Sequence, residues 1–173
     1  MSRPSNFPPS IIPMTPENTS PRPPPNELNL TRIFAAPRAL VFQAWTDPAH
    51  LAQWWGPGGF TTTLKTWEAR TGGAILLDMN APNGTVYPMS GKFVELVPPE
   101  KIVFLSAALN AAGQPIFEVM NSIALADEGG KTKLTLHTRV ISKQPEADQY
   151  LKGQKAGWTQ SLDRLESLVT GQK

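Results

Sequence analysis

Residues 145–169 read PEADQYLKGQKAGWTQSLDRLESLV, the pattern of a long amphipathic helix. Its apolar residues recur at helical intervals, which at about 100° per residue places them in one stripe along a helix. The stripe consists of Leu151, Trp158, Leu162, Leu165 and Val169. A helix of about 25 residues is roughly 37 Å long, enough to cross a small domain. We therefore predict one long terminal helix that buries this stripe against another layer.

Six segments upstream of this helix are typical of β-strands. Each is rich in β-branched and aromatic residues and is bounded by turn-forming residues such as Gly, Pro and Asn. They span residues 61–69, 74–79, 86–97, 101–108, 116–126 and 131–141. Short turns between consecutive strands favour antiparallel pairing. In the last segment apolar and polar residues alternate, which predicts a sheet with one buried face.

The front of the chain predicts one more strand and two short helices. Residues 28–35 form the first strand, and Pro37 then stands where a helix tolerates proline best. Asp47 followed by Pro48 is typical of a capped helix start, and the Trp-Trp-Gly-Pro run at 54–57 ends that helix. The order of elements indicates an α+β fold. We predict a curved antiparallel sheet of about seven strands wrapped around a long C-terminal helix, with two short helices after the first strand.

Composition narrows the class of protein. The chain has 173 residues, a net charge of +2 at pH 7 and no cysteine, so disulfides and thiolate metal sites are not expected. The sequence has no basic patch that would indicate nucleic-acid binding. No apolar run approaches the length of a membrane span. The N-terminus lacks the pattern of a signal peptide, and the cytoplasm is the expected compartment.

Residues 1–26 differ from the rest because they hold 9 of the 18 prolines. Proline supports neither helix nor sheet pairing, so we expect a flexible Pro-rich arm in front of a domain that spans residues 27–173. The alternative is an arm that docks on this domain or on a neighbour. Its apolar residues for such docking are Phe7, Ile11, Ile12 and Met14.

A strongly curved sheet around a straight helix leaves space between the two, and this space is the predicted site. The apolar residues expected to line it lie on the strands, in the loop after the second helix and on the terminal helix. They are Trp54, Trp55, Ile75, Leu77, Met79, Phe93, Phe117, Val119, Trp158 and Leu162. Such a cavity suits a hydrophobic small molecule.

Three polar residues are candidates for contact with an occupant. Asn121 shares the apolar face of its strand, so its amide needs a partner, which a ligand can provide. Lys155 lies at the edge of the helical stripe, where it either extends to solvent or meets the carboxylate of an amphipathic ligand. Glu95 has apolar neighbours and is a weak candidate for a general base. Its pairing with Arg70 or Lys101 is the simpler interpretation.

Neither a catalytic triad nor a metal site can be assembled from the sequence. The two histidines, His50 and His137, are expected on the surface, and no spacing typical of metal ligands surrounds them. We therefore expect no metal and no cofactor.

Several motifs together resemble those of one family. They are APRALVF at 36–42, AWTDP at 44–48, WWGP at 54–57, Arg70 with Gly72-Gly73, GKFVELVPPEKIVF at 91–104, and Gly157-Trp158. These motifs are similar to those of the activator of heat shock protein 90 ATPase homologue family, over about residues 27–169. That family belongs to the START-like, polyketide-cyclase-like SRPBCC superfamily. The resemblance therefore implies a helix-grip fold with a largely apolar cavity between sheet and helix.

The resemblance leaves three functions open. The first is binding of a hydrophobic or amphipathic small molecule without catalysis. The second is a cyclase- or dehydratase-like enzyme for polyketide-type substrates, in which Glu95 or Asn121 orients the substrate. The third is a chaperone-linked protein-interaction module. The lack of an assembled catalytic set favours the first, and a homodimer also stays open.

Overall fold

A seven-stranded antiparallel sheet is the main layer of the computed structural model, which describes residues 27–171. The arm predicted for residues 1–26, and the last two residues of the predicted domain, lie outside the described residues. The strands are β1 (Glu27–Phe34), β2 (Thr61–Trp67), β3 (Ala74–Asn80), β4 (Val86–Val97), β5 (Lys101–Leu109), β6 (Pro115–Glu128) and β7 (Lys131–Lys143). The predicted strands are thus confirmed, with ends that differ by one to two residues.

The order of strands across the sheet is β1-β7-β6-β5-β4-β3-β2. Strands β2 to β7 follow one another through short turns, while β1 pairs with the last strand, β7. The first and second strands therefore lie at opposite edges of the sheet. Two short helices connect them, α1 (Arg38–Thr46) and α2 (Pro48–Trp54). This arrangement confirms the predicted α+β fold.

The inner face of the sheet is set by alternation along the central strands. On β7, Leu134, Leu136 and Thr138 are buried, and on β6 the buried set includes Asn121 and Ile123. A register shift between Glu118 and Val119 interrupts the alternation on β6. The predicted buried face is confirmed, and its polar side chains include Asn121 and Thr138, which are in directly paired positions.

The residues at the junction of the two short helices explain where α2 begins. The Asp47 side chain accepts hydrogen bonds from the backbone N–H groups of Ala49 and His50, at 2.9 and 3.4 Å, and Pro48 occupies the first turn. Pro48 is four residues after Ala44, the position of the usual helical donor to the Ala44 carbonyl. Because proline has no N–H, that carbonyl lacks this donor. The indole Nε1 of Trp54 donates to that carbonyl at 2.8 Å.

The prediction of one unbroken terminal helix is wrong. The structure has a five-residue helix α3 (Ala147–Leu151), a turn at Lys152 and Gly153, and a helix α4 (Gln154–Thr170). Glycine is a poor helix former because it loses the most backbone freedom on ordering, and the break falls on Gly153. The 17 residues of α4 make it about 25 Å long. The stripe still packs inward at Leu162, Leu165 and Val169, whereas Leu151 is only half-buried.

Helix α4 is held across the inner face by a cation from the edge strand β1. The Arg32 guanidinium forms an ion pair with Asp163 and contacts Glu166 Oε1 and the Thr159 carbonyl, each at 3.3 Å. These three partners lie on successive turns of α4.

In residues 27–171, no helix combines the length and the apolar character needed to span a bilayer.

All five tryptophans, one of them on α4, form one aromatic cluster. Trp45 lies at its centre, with ring centroids 4.7 Å from Trp54, 6.3 Å from Trp55 and 6.0 Å from Trp158. Trp67 joins through Trp55 at 6.4 Å. The cluster connects the short helices, the sheet and the terminal helix into one core.

Candidate functional site

A cavity of about 250 Å³ lies between the inner face of the sheet and helices α3 and α4. The third wall is the loop that follows α2, at residues 55–57. The cavity is lined by Trp55, Gly56, Pro57, Met79, Met89, Ser106, Phe117, Val119, Asn121, Tyr150, Leu151, Gly153, Gln154, Gly157, Trp158 and Ser161. Among these described residues none carries a formal charge. The walls are mostly apolar, with a few hydroxyl and amide groups, which is the usual composition of a small-molecule site.

Asn121 supplies a hydrogen-bond acceptor to the cavity wall. It is 2% exposed, and its Nδ2 donates to the carbonyl oxygens of Phe104 and Val119, both at 3.3 Å, and to Ser106 Oγ at 3.0 Å. Carbonyl oxygens can only accept, so the amide must turn its NH₂ group toward them. Within residues 27–171, Asn121 Oδ1 has no hydrogen-bond donor. This oxygen is not one of the fully enclosed unpaired polar atoms of the described residues, so it is open to the cavity. An occupant that covers it is favoured if it donates a hydrogen bond, because an acceptor covered without a donor is costly.

Two serine hydroxyls add donor capacity around the same space. Ser106 Oγ accepts from Asn121, which leaves the hydroxyl hydrogen of Ser106 free to donate to an occupant. Ser161 on α4 is 5% exposed and also lines the cavity. The cavity therefore presents an acceptor on the sheet and hydroxyl groups on both sheet and helix.

Arg164 on α4 holds the loop that forms the third wall. Its guanidinium donates to the carbonyl oxygens of Gln53 (3.1 Å), Gly56 (3.0 Å) and Pro57 (3.1 Å), with a longer contact to Trp55. These carbonyls lie at and just beyond the end of α2, where helical donors run out. Partial burial lowers the pKa of Arg164 from its usual value. The guanidinium nevertheless stays protonated at neutral pH.

Replacing Arg164 with methionine is expected to lower the free energy of unfolding by about 1.5–3 kcal/mol, because the loop carbonyls lose a charged donor. Urea denaturation measures this loss. Arg139→Met is the matched control, since Arg139 is exposed on the outer face of β7. It should change the stability by less than about 0.5 kcal/mol. Equal effects of the two substitutions would contradict the role of Arg164 in holding the loop.

Gly157 leaves room in the cavity from the helix side. It lies inside α4, where glycine is less favourable than alanine by about 0.5–1 kcal/mol. A Cβ added there would meet only Pro57 Cγ, at 3.8 Å, which is an ordinary contact. Packing therefore does not require glycine at this position, and an added side chain would instead occupy cavity space.

Gly157→Ala is expected to stabilise the protein by up to about 1 kcal/mol, the difference in helix propensity between glycine and alanine. For a domain of this size that corresponds to a rise in melting temperature of about 2–4 °C. Differential scanning calorimetry measures the shift. A fall in melting temperature would show that the space beside Pro57 cannot accept a methyl group.

The structure brings together only part of the predicted site. Of the predicted lining residues, those that line the cavity are Trp55, Met79, Phe117, Val119, Asn121 and Trp158. The others pack in the closed core instead, with exposures of 0–2%: Trp54, Ile75, Leu77, Phe93 and Leu162. Ile75 and Leu77 are on β3, Phe93 on β4 and Leu162 on α4, whereas Trp54 is the last residue of α2, and all five belong to the hydrophobic core.

The charged candidates lie away from the cavity. Lys155 is exposed and is not part of the lining. Glu95 pairs with Lys101, with Oε1 3.0 Å from Nζ, and both side chains are about half exposed. His137 Nε2 lies 2.9 Å from Glu27 Oε1. Within the described part of the chain, no group of three or more potential metal ligands occurs.

Some lining residues were missed although a signal for them was present. Ser161 follows Trp158 by three positions and so shares its helical face. Ser106 follows Phe104 by two positions in a predicted strand, which places both on one face. Tyr150 gave no such signal, because its position depends on the break at Gly153. It packs against Phe117, with ring centroids 6.1 Å apart.

The sheet, the helix packed across it and the cavity between them define the class of protein, a helix-grip α+β domain. A family model described as Activator of Hsp90 ATPase homolog 1-like protein matches residues 35–170. The chain therefore belongs to this family, and the resemblance noted in the sequence is confirmed. No curated protein matches the chain.

Solved structures of bacterial proteins share the fold. A protein from Chromobacterium violaceum is similar with 33% identity and a TM-score of 0.72, covering 84% of this chain and 98% of that one. A Mycobacterium smegmatis protein has 25% identity and a TM-score of 0.73, covering 85% and 92%. An AHSA1 protein from Silicibacter pomeroyi has 25% identity and a TM-score of 0.70, covering 82% and 95%. The shared unit is thus nearly the whole of each relative.

Proposed function

We propose that this protein binds a hydrophobic or amphipathic small molecule in the cavity between the sheet and helices α3 and α4. The observation that carries the proposal is the acceptor Asn121 Oδ1, which has no donor within residues 27–171 and lies on the wall of a mostly apolar cavity whose described lining is uncharged. A purely structural gap would be expected to have dry apolar walls or paired polar groups.

Two further features support the same function. The interior glycine of α4, Gly157, keeps space open at the expense of helix stability, as expected where function and stability compete. Membership of a helix-grip family agrees with a cavity that takes apolar ligands. The acidic residue considered for catalysis, Glu95, lies outside the cavity in an ion pair. These features favour binding over an acid–base reaction.

Naphthalene is a suitable first probe because it is uncharged, rigid and small enough for the cavity. Equilibrium dialysis with the full chain should show saturable binding with one site per molecule. Gly157→Leu should weaken this binding at least tenfold, because the new side chain occupies the cavity. Ala156→Leu is the matched control, since it adds the same side chain one residue away at an exposed position of α4.

The pair of leucine variants makes the test specific. Equal binding by both variants would mean that naphthalene binds elsewhere, and no saturable binding to the parent would contradict the proposed function. Mass spectrometry of small molecules extracted from freshly purified protein offers an independent measurement. A compound retained by the parent and lost from Gly157→Leu would support the proposal.

A chaperone-linked interaction is the second candidate function, and the family match is the observation that favours it. Its test is stimulation of Hsp90 ATPase activity by the full chain. Under this alternative the effect of Gly157→Leu should be negligible, because a protein-binding surface does not need an open cavity. Stimulation that survives cavity filling, without any naphthalene binding, would favour the second candidate over the first.

A further inference from the structure

We propose that the cavity selects an uncharged alcohol or phenol with one or two rings. Its hydroxyl group is bound by Asn121 and a neighbouring serine. This inference rests on the proposed function and specifies the chemical class of the ligand. It follows from three properties of the cavity: the absence of a counter-charge, the hydrogen-bonding capacity of its walls and its volume.

Charge is the first criterion. A carboxylate or ammonium group placed in the cavity would lose hydration without meeting an opposite charge among the described lining residues, which is strongly unfavourable. The two arginines that link helix α4 to its neighbours, one on α4 and one on β1, are already engaged. Arg164 donates to the loop carbonyls, and Arg32 pairs with Asp163 and Glu166. Lys155 is exposed outside the cavity.

Hydrogen bonding is the second criterion. The Asn121 Nδ2 group is committed to Phe104, Val119 and Ser106, and Oδ1 has no donor within residues 27–171. An occupant that covers Oδ1 therefore has to donate to it. The Ser106 and Ser161 hydroxyls can donate to the same occupant. A hydroxyl group both donates and accepts, so it satisfies the amide and a serine at once. A ketone or ether offers no donor and would leave Oδ1 buried and unpaired.

Size and shape are the third criterion. The volume of about 250 Å³ lies just below the usual range of about 300–1,000 Å³ for drug-sized ligands. Trp55, Trp158 and Phe117 contribute flat aromatic surfaces to the walls. Aromatic faces pack well against another ring at stacked or edge-on angles. The cavity is therefore best matched by a molecule with one or two rings and a hydroxyl group.

Three probes of one shape test this selectivity: 2-naphthol, naphthalene and 2-naphthoate. Equilibrium dialysis with the full chain should give the highest affinity for 2-naphthol, at least threefold above naphthalene, in the range expected for one net hydrogen bond. The 2-naphthoate anion should bind most weakly. Asn121→Leu removes the acceptor with little change in volume. It should abolish the preference for 2-naphthol while leaving naphthalene binding within about twofold.

Each outcome bears on a distinct claim. Equal affinity for 2-naphthol and naphthalene in the parent would overturn the hydroxyl selectivity and leave the proposed binding function standing. The tightest binding by 2-naphthoate would overturn the preference for an uncharged ligand. No saturable binding of any probe would overturn both proposals. If Asn121→Leu does not fold, Ser106→Ala and Ser161→Ala test the same site. A preference for 2-naphthol that is unchanged in both serine variants would contradict the proposal that a serine binds the hydroxyl group of the ligand.

Discussion

Trp45→Ala should lower the free energy of unfolding by about 3–5 kcal/mol, the range for removing a large buried aromatic side chain. Trp45 is 1% exposed and contacts Trp54, Trp55 and Trp158 at the centre of the aromatic cluster. Those rings are fixed by helix α2, the loop after it and helix α4, so they cannot move in to fill the space. Urea denaturation of the full chain measures the loss. A midpoint close to that of the parent would contradict the central position of Trp45.

A pair of phenylalanine substitutions separates packing from hydrogen bonding in this cluster. Trp45 Nε1 is buried without a partner among the described residues, whereas Trp54 Nε1 donates to the Ala44 carbonyl at 2.8 Å. Trp54→Phe should therefore destabilise the protein more than Trp45→Phe, by about 1–3 kcal/mol, because it leaves that buried carbonyl unpaired. Equal losses would show that the Ala44 carbonyl does not depend on the indole of Trp54.

Gly73→Ala is expected to lower the free energy of unfolding by about 3 kcal/mol, the upper end of the usual range for overpacking. A Cβ on Gly73 would lie 1.8 Å from the Glu68 carbonyl oxygen and 2.9 Å from that of Arg70. Both are backbone atoms, so neither can rotate away. Gly73 also pairs with the sheet, since the Phe93 N–H donates to its carbonyl at 2.8 Å. Relief of the clash would therefore displace the entry to β3.

The neighbouring glycine is the matched control for this prediction. Gly72 has φ +84°, and a Cβ there would meet nothing within 4 Å. The loss of unfolding free energy in Gly72→Ala should thus be limited to the strain of a left-handed conformation, roughly 1–2 kcal/mol. Thermal or urea unfolding of the two variants side by side decides the order. A larger loss for Gly72→Ala than for Gly73→Ala would contradict the close backbone approach at Gly73.

The parts of the fold that the sequence predicted depend on local chemistry. Alternation of apolar and polar residues placed Leu134 and Leu136 on the buried face of β7, and the Asp47-Pro48 pair marked the start of α2. Both signals act within a few residues of the chain. The buried position of Asn121 was predicted by the same alternation.

The boundary between core and cavity was not predictable in the same way. Leu77 and Met79 share one face of β3, yet Leu77 is completely buried and Met79 lines the cavity. The difference depends on how far the sheet bends away from α4, which no single segment encodes. The contact of Arg164 with the loop after α2 joins residues more than a hundred positions apart. The break at Gly153 had a local signal, but the apolar stripe on both sides of it favoured one continuous helix.

The aromatic cluster also has an optical consequence. Indole rings with centroids 4.7–6.4 Å apart are close enough for their excited states to couple, so they should add exciton bands to the far-ultraviolet circular dichroism spectrum. Excitation energy should pass rapidly among the rings before any of them emits. Trp55 and Trp158 belong both to the cluster and to the cavity wall. A molecule that quenches either ring would therefore lower the fluorescence of the whole cluster. Binding in the cavity could then be followed by intrinsic tryptophan fluorescence, without an added label.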